Sequence, residues 1–176
     1  IAQSLSNLGI EVHLMGVAPT PAIAFAAVSS EAVSFAITAS HNTYTDNGVK
    51  IFGRGGRKLT DEQESRIELE TELELASEIN RAPDHQQSSA SSKISAVSHP
   101  EYLARYCAAL VASLPKNALA KLHIALDCAN GAMSEVASAV FTGLGAKVSV
   151  IHNSPNGKNI NHHCGATEPS ELKELV

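Results

Sequence analysis

Two short apolar runs, LHIALD at 122–127 and KVSVI at 147–151, flank a stripe of Met133, Val136, Ala137, Val140, Phe141 and Leu144. The stripe recurs at helical spacing, and runs of that length read as buried strands. Strand, helix and strand within residues 122–151 predict parallel strands joined by a right-handed crossover, with Gly145 placed to stop the helix. The same order is met earlier. LSNLGIEVHLMGVAPTP and FTGLGAKVSVIHNSPNG each run helix, Leu-Gly, strand, then a loop with proline. The expected fold class is α/β: two related domains with mixed, mostly parallel sheets flanked by helices. The chain opens on Ile1 inside a helical pattern and closes on PSELKELV, another, so it reads as truncated at both ends.

In the first half, Ile1, Leu5 and Leu8 share a helical face, and Gly9 stands where a helix stops. IEVHLMG is expected to be a strand with Val12 and Leu14 inward, and PTPAIAFAAVSS a short Ala-rich helix. AVSFAITA, residues 32–39, is apolar and partly β-branched, hence a buried strand. Asn47-Gly48 is a turn signal, and VKIFG alternates as a returning strand should. Thr60 opens a long helix, with Gln63 at capping-box spacing and Asp61 and Glu62 in the first turn. Residues 82–98 are Ser-rich and read as a linker, giving domains at 1–90 and 91–176. Pro100 suits a first helical position, and Leu103, Tyr106, Cys107, Leu110, Val111 and Leu114 make the next stripe.

Composition narrows the function. With 44% hydrophobic residues but 4% aromatics and no Trp, the core must be built from Ala, Val, Leu and Ile. No apolar stretch nears the roughly 18 residues of a membrane span, and no signal peptide opens the chain. Cys107, Cys128 and Cys164 are odd in number and far apart, which indicates neither a disulfide framework nor a zinc knuckle and suits a reducing cytoplasm. A net charge of −5 argues against nucleic acid as a partner. Eight of the 18 acids fall within Asp61–Glu78, the solvated face of the long helix.

Chemistry concentrates in TASHNTYTDNGVK, residues 38–50, which follows the strand at 32–39. Loops at the carboxyl ends of strands are where α/β sheets place their sites. Ser40 offers a hydroxyl that can act as a nucleophile or carry a covalent group. His41 and Lys50 add positive or proton-donating character. Thr38, Asn42, Asn47 and the loop N–H groups complete a setting for an anion, phosphate above all. On residue type alone, a Ser-His-Asn loop, an Asn-Gly hairpin and a solvated lysine are each as consistent with a plain turn. A serine-hydrolase reading lacks the Gly-x-Ser-x-Gly elbow. Adjacent Ser40 and His41 are also expected on opposite sides of an extended backbone, poor geometry for a base.

ITASHNTYTDNGVKIFGRGGRKLTDEQ closely resembles the active-site loop of the phosphohexomutase superfamily, whose usual form is Thr/Ser-Ala-Ser-His-Asn-Pro, then Asp-Asn-Gly-x-Lys and Gly-x-Lys-Leu. VAPTPAIAF and IALDCANGAMSEVASAVFTGLGAKV resemble further segments of it. NGKNINHHCGATEPSELKEL looks most like the bacterial phosphoglucosamine mutase branch. The resemblance implies an intramolecular phosphotransferase acting on a hexose or hexosamine phosphate. Ser40 would be the phosphorylated serine, and its phosphate would pass to the sugar and return through a bisphosphate intermediate. A phosphoserine oxygen would ligate Mg²⁺. His41 and Asn42 would shape the site, and Lys50 would assist proton transfer or phosphate stabilisation. Glucosamine phosphate is the implied substrate. A phosphomannomutase or phosphoglucomutase, or a non-catalytic phosphosugar-binding relative, are the alternatives. Oligomeric state is not legible.

Thr43 stands where the family has proline, which predicts a less rigid loop. The family's Asp-Gly-Asp-x-Asp-Arg metal loop and its sugar and C-terminal phosphate loops are expected beyond Val176, so these residues alone should be inactive. His162-His163-Cys164 lacks a fourth zinc ligand and reads as loop support for the domain interface. Asp127 or Asn130 is expected to cap the following helix, and Cys107 to lie in the core.

Overall fold

Helix and strand alternate as the periodicities require. The computed structural model describes residues 1–38, 40–80 and 96–176. In chain order these form α1 (Ala2–Asn7), β1 (Val12–Leu14), α2 (Thr20–Ser29), β2 (Ser34–Ile37), β3 (Val49–Phe52), α3 (Asp61–Asn80) and β4 (Ala96–Ser98). There follow α4 (Glu101–Ala112), β5 (His123–Asp127), α5 (Val136–Gly143), β6 (Lys147–Ile151), a 3₁₀ turn (Gly165–Thr167) and α6 (Ser170–Leu175). Among the described residues the strands make three pairs: β1 with β4 and β5 with β6 parallel, β2 with β3 antiparallel.

The first half rests on a thin core. α2 begins on prolines, which suit a first turn because its N–H groups have no partner within the helix. It buries Ala22, Ala26 and Ala27. Side chains this small let the helix lie close on the β2–β3 hairpin, where Ala36 and Phe52 complete the cluster. Phe52 pairs in register with Ser34, and Lys50 with Ala36, so Lys50 shares its face of the ribbon with Ala36. After β3 the chain turns through GRGG: Gly56 N–H bonds Gly53 O at 2.8 Å, and Leu59 N–H returns to Ile51 O at 3.1 Å. Gly56 has φ +67, and a Cβ there would meet Val28 Cγ2 at 2.6 Å and Ala24 O at 2.8 Å. Gly56→Ala therefore combines left-handed strain with a clash against α2, and should cost about 2 kcal/mol in a urea titration. An unchanged midpoint would contradict that close approach.

α3 opens as its sequence predicts. Thr60 N–H donates to Gln63 Oε1 at 2.9 Å and Gln63 N–H to Thr60 Oγ1 at 3.3 Å, a reciprocal capping box. Residues 82–95 of the expected linker, with the boundary near residue 90, lie outside the described residues. Residues 96–98, expected to continue that loop, instead form β4 and pair with β1. Around this pair His13 stacks on His99 at 4.1 Å, and His13 Nδ1 lies 3.1 Å from Tyr102 Oη. Val12 and Leu14 do not both face inward as expected: Val12 is half-buried, while Leu14 is 45% exposed. Among the described residues, nothing packed on this short two-strand ribbon covers Leu14.

The second half matches its pattern in element order. β5 and β6, expected to be buried strands, are only half-buried beyond an exposed first residue, since a two-stranded sheet leaves much of their surface uncovered. β5 and β6 pair from His123↔Lys147 to Asp127↔Ile151. Val136, Val140 and Leu144 of the crossover segment pack on Leu103, Tyr106, Cys107, Leu110 and Val111 of α4. Pro100 is the residue before α4 rather than its first member. Met133 falls outside α5 and is 40% exposed, because Ala129 and Asn130 adopt left-handed φ and delay the helix to Val136. Phe25 of α2 meets Tyr106 of α4 edge-on at 5.7 Å, so α4 touches both halves of the chain.

Candidate functional site

Residues 38–48 connect β2 to β3. Thr38 N–H bonds Gly48 O at 2.9 Å and closes the loop at its base. A Cβ on Gly48 would stand 3.1 Å from Thr38 O, so glycine permits that closure. The tight turn is not at Asn47-Gly48 as expected. It lies at Thr43–Asp46, where Asp46 N–H bonds Thr43 O at 3.2 Å. Gly48 is used for close backbone approach instead. Thr43 Oγ1 and Thr45 Oγ1 are 2.9 Å apart, a hydrogen bond that proline at 43 could not make.

Ser40 is exposed, at the carboxyl end of the β2 segment, with φ +58. Its N–H donates to Thr38 Oγ1 at 3.1 Å, a local side-chain bond that supports the unusual backbone. The expectation that Ser40 and His41 diverge is corrected here. Ser40 Oγ lies 3.0 Å from His41 Nδ1, because a left-handed residue breaks the alternation of an extended chain. A hydroxyl and an imidazole nitrogen are thus within proton-transfer range. Asn42 Nδ2 donates to Asp46 Oδ2 at 2.9 Å and braces the loop across its own turn. Lys50 is half-buried on β3, and Asn47 is exposed. Among the described residues, neither is hydrogen-bonded to Ser40, His41 or Asn42.

Residue-type reasoning missed Asn161. Its Nδ2 donates to Asn42 O at 2.9 Å and to Ser40 O at 3.4 Å, across some 120 residues of chain. The only sequence signal was its place in the Asn-Ile-Asn segment, which marks a family branch and says nothing of contact. Its own backbone is fixed from below. Asn161 N–H bonds Ala129 O at 3.0 Å, and Asp127 accepts from Ala129 N–H and Gly165 N–H, both at 2.8 Å. Asp127 does not cap α5, as expected of it, because its two oxygens serve these loops. Asn130 likewise accepts from Ser154 N–H at 3.1 Å rather than capping. Burial pushes the Asp127 carboxyl up, but the hydrogen bonds from the Gly165 and Ala129 N–H groups, with the His152 ring beside it, outweigh burial and hold the group below the usual aspartate range. Burial pushes the thiols of Cys107, Cys128 and Cys164 up, with Asp127 adding to the effect at the last two.

The donors around Ser40 do not make a Mg²⁺ cage. Mg²⁺ demands a near-octahedral set of oxygens. The loop's one carboxylate, Asp46, is taken up by Asn42. The His/Cys/Asp/Glu cluster found among the described residues, Asp127 with His152 and Cys164, does not include the loop. Two concavities, along Glu70–Ser77 of α3 and between Met15, Leu103 and Val136, are lined by no loop residue either.

Residues 1–77 match the family described as phosphoglucomutase/phosphomannomutase, alpha/beta/alpha domain I. The chain is 42% identical over 178 residues to a protein named phosphoglucosamine mutase from Myxococcus xanthus, covering 100% of this chain and 37% of that protein. Proteins of the same name from Zymomonas mobilis and Acinetobacter baylyi are 39% and 40% identical, over 97% and 98% of this chain and 37% of theirs. The chain thus spans 37% of the length of these relatives. The domain I match contains the Ser40 loop, and the similarity to phosphoglucosamine mutases continues through the Asn161 segment.

Proposed function

We propose that this chain carries the phosphoserine loop of a phosphoglucosamine mutase, which interconverts glucosamine 6-phosphate and glucosamine 1-phosphate. The observation that carries the reading is an exposed Ser40 hydroxyl, paired with His41, in a chain 39–42% identical throughout to proteins of that name. In the first transfer, a sugar hydroxyl oxygen attacks the phosphorus on Ser40. The new O–P bond forms as the Oγ–P bond breaks, and the sugar proton passes to a base. The His41 imidazole stands where it can return a proton to Ser40 Oγ. Lys50 adds positive charge beside the loop, Asn42 and Thr38 hold its shape, and the exposed Asn47 offers a donor to the incoming phosphate. The bisphosphate then turns and gives its other phosphate back to Ser40. Mg²⁺ would meet this chain only through an oxygen of the Ser40 phosphate, its other ligands coming from outside these residues. Residues 1–90 and 91–176 are read as parts of two α/β domains. Work in the cytoplasm suits three free cysteines, and no helix of the described residues is long and apolar enough to cross a membrane.

The test is to assay the full-length protein on glucosamine, mannose and glucose phosphates, with intact-mass analysis of the resting protein. Preference for glucosamine phosphate and a single phosphoryl group on Ser40 are expected. Preference for another sugar would move the reading to a phosphomannomutase or phosphoglucomutase. No phosphoserine and no turnover would leave a phosphosugar-binding protein. Asn161 supplies a finer probe. Asn161→Asp keeps a residue that tolerates left-handed φ but replaces the donor by an acceptor facing two carbonyls. In the full-length enzyme kcat should fall roughly tenfold to a hundredfold with KM little changed, since a loop displaced by about 1 Å misaligns the transfer. A wild-type kcat would remove Asn161 from any positioning role.

A further inference from the structure

Three side chains from separate stretches converge beyond the carboxyl ends of β5 and β6. Asp127 ends β5, His152 follows β6, and Cys164 precedes the 3₁₀ turn. A carboxylate oxygen, an imidazole nitrogen and a thiol sulfur from these residues lie within 4.8 Å of one another. They are not the His162-His163-Cys164 run that the sequence presents. His162 and His163 are exposed and meet each other edge-on at 4.3 Å, whereas Cys164 is fully buried.

His152 supplies the second observation. Its Nε2 faces Glu171 Oε2 at 3.2 Å. Its Nδ1 is buried and makes no hydrogen bond, although Asp127 Oδ1 is 3.2 Å away. With the ring proton on Nε2 toward Glu171, the Nδ1 lone pair points at a carboxylate oxygen. Two electron-rich atoms then face each other, with Nδ1 itself shielded from solvent while the edge of the ring stays partly exposed. An imidazole with one nitrogen on a carboxylate and the other left bare is the usual arrangement of a metal-bound histidine. The surroundings fit as well. Ala129 and Gly165 N–H groups orient Asp127, whose side chain is 4% exposed. Asn130 Nδ2 stands 3.9 Å from Cys164 Sγ, a donor that favours the thiolate.

We propose that Asp127, His152 and Cys164 bind one Zn²⁺ ion, with water as the fourth ligand. One oxygen, one nitrogen and one sulfur suit Zn²⁺, whereas Mg²⁺ and Ca²⁺ select oxygen alone. As the Zn–S bond forms, the Cys164 S–H bond breaks and its proton leaves to solvent. The ligand atoms close to about 2.0–2.3 Å from the metal. The ion joins the end of β5, the residue after β6 and the 3₁₀ turn, and so stiffens the segment that presents Asn161. This site is separate from any metal at Ser40, and its existence does not depend on the mutase reading.

The full-length protein, stripped with a chelator and dialysed, is titrated with Co²⁺ as a spectroscopic stand-in and then with Zn²⁺. One equivalent of Co²⁺ is expected to give a thiolate-to-metal charge-transfer band, which equimolar Zn²⁺ removes while raising the thermal midpoint. Cys164→Ser should abolish the band, and His152→Gln should weaken binding at least roughly tenfold. The double variant His162→Gln/His163→Gln should bind as the original does. The proposal is overturned if the unaltered chain shows neither band nor a rise in midpoint, if the band survives Cys164→Ser, or if the double variant loses it. The unaltered chain decides even if a variant fails to fold.

Discussion

Ser40→Ala in the full-length enzyme is expected to lower turnover by roughly 10³-fold or more and to remove the phosphoryl group seen by intact mass. No neighbouring group can replace it: Thr38 Oγ1 is already the acceptor for Ser40 N–H, and His41 would face a methyl group. The fold should be indifferent. Ser40 is exposed, and alanine bears the same left-handed strain as serine, so the variant loses one exposed hydrogen bond worth at most about 1 kcal/mol. A companion variant separates chemistry from strain. Ser40→Gly relieves a φ of +58 and should be equally inactive while unfolding no earlier than the original. Substantial activity in either variant would refute the phosphoserine assignment.

Phe52→Ala should produce the largest loss of stability, about 3–4 kcal/mol by denaturant titration followed by circular dichroism. The buried cluster of the first half holds Ala27, Ala36 and Phe52, so the phenyl ring is its one large buried side chain among the described residues. Around it stand α2 and the hairpin itself, elements too regular to collapse into the vacated volume. The consequence reaches the loop. Phe52 ends the strand that pairs Lys50 with Ala36 and brings Gly48 back to Thr38, so its loss loosens both ends of the Ser40 segment. A change below about 1 kcal/mol would mean that the alanine layer packs without the ring.

What the sequence made legible follows from how local each signal is. The β5–α5–β6 order and the Thr60 capping box stand where the pattern put them. The strand expected buried over 32–39 is instead shorter, Ser34–Ile37, and buries only Ala36, with Val33 and Ile37 exposed because one face of the hairpin is left uncovered. Errors came where one residue's backbone departs from its neighbours. Alternation placed Ser40 and His41 on opposite sides, and one left-handed φ brought them within 3.0 Å. Asn47-Gly48 carries the composition of a tight hairpin, yet its glycine serves a close approach to Thr38. Asp127 and Asn130 have the composition of helix caps but bind loops more than twenty residues away. Asn161 could not be found at all from residue type, since its role lies in where distant chain returns.

That return has a consequence for synthesis. A ribosome releases the Ser40 loop long before Asn161, and the two carbonyls it holds must wait for the later residues to emerge and dock. A nascent chain therefore displays its acceptor hydroxyl early but in a slack backbone. On the proposed reading of Ser40 as the phosphorylated residue, its charging should trail translation of the Asn161 segment.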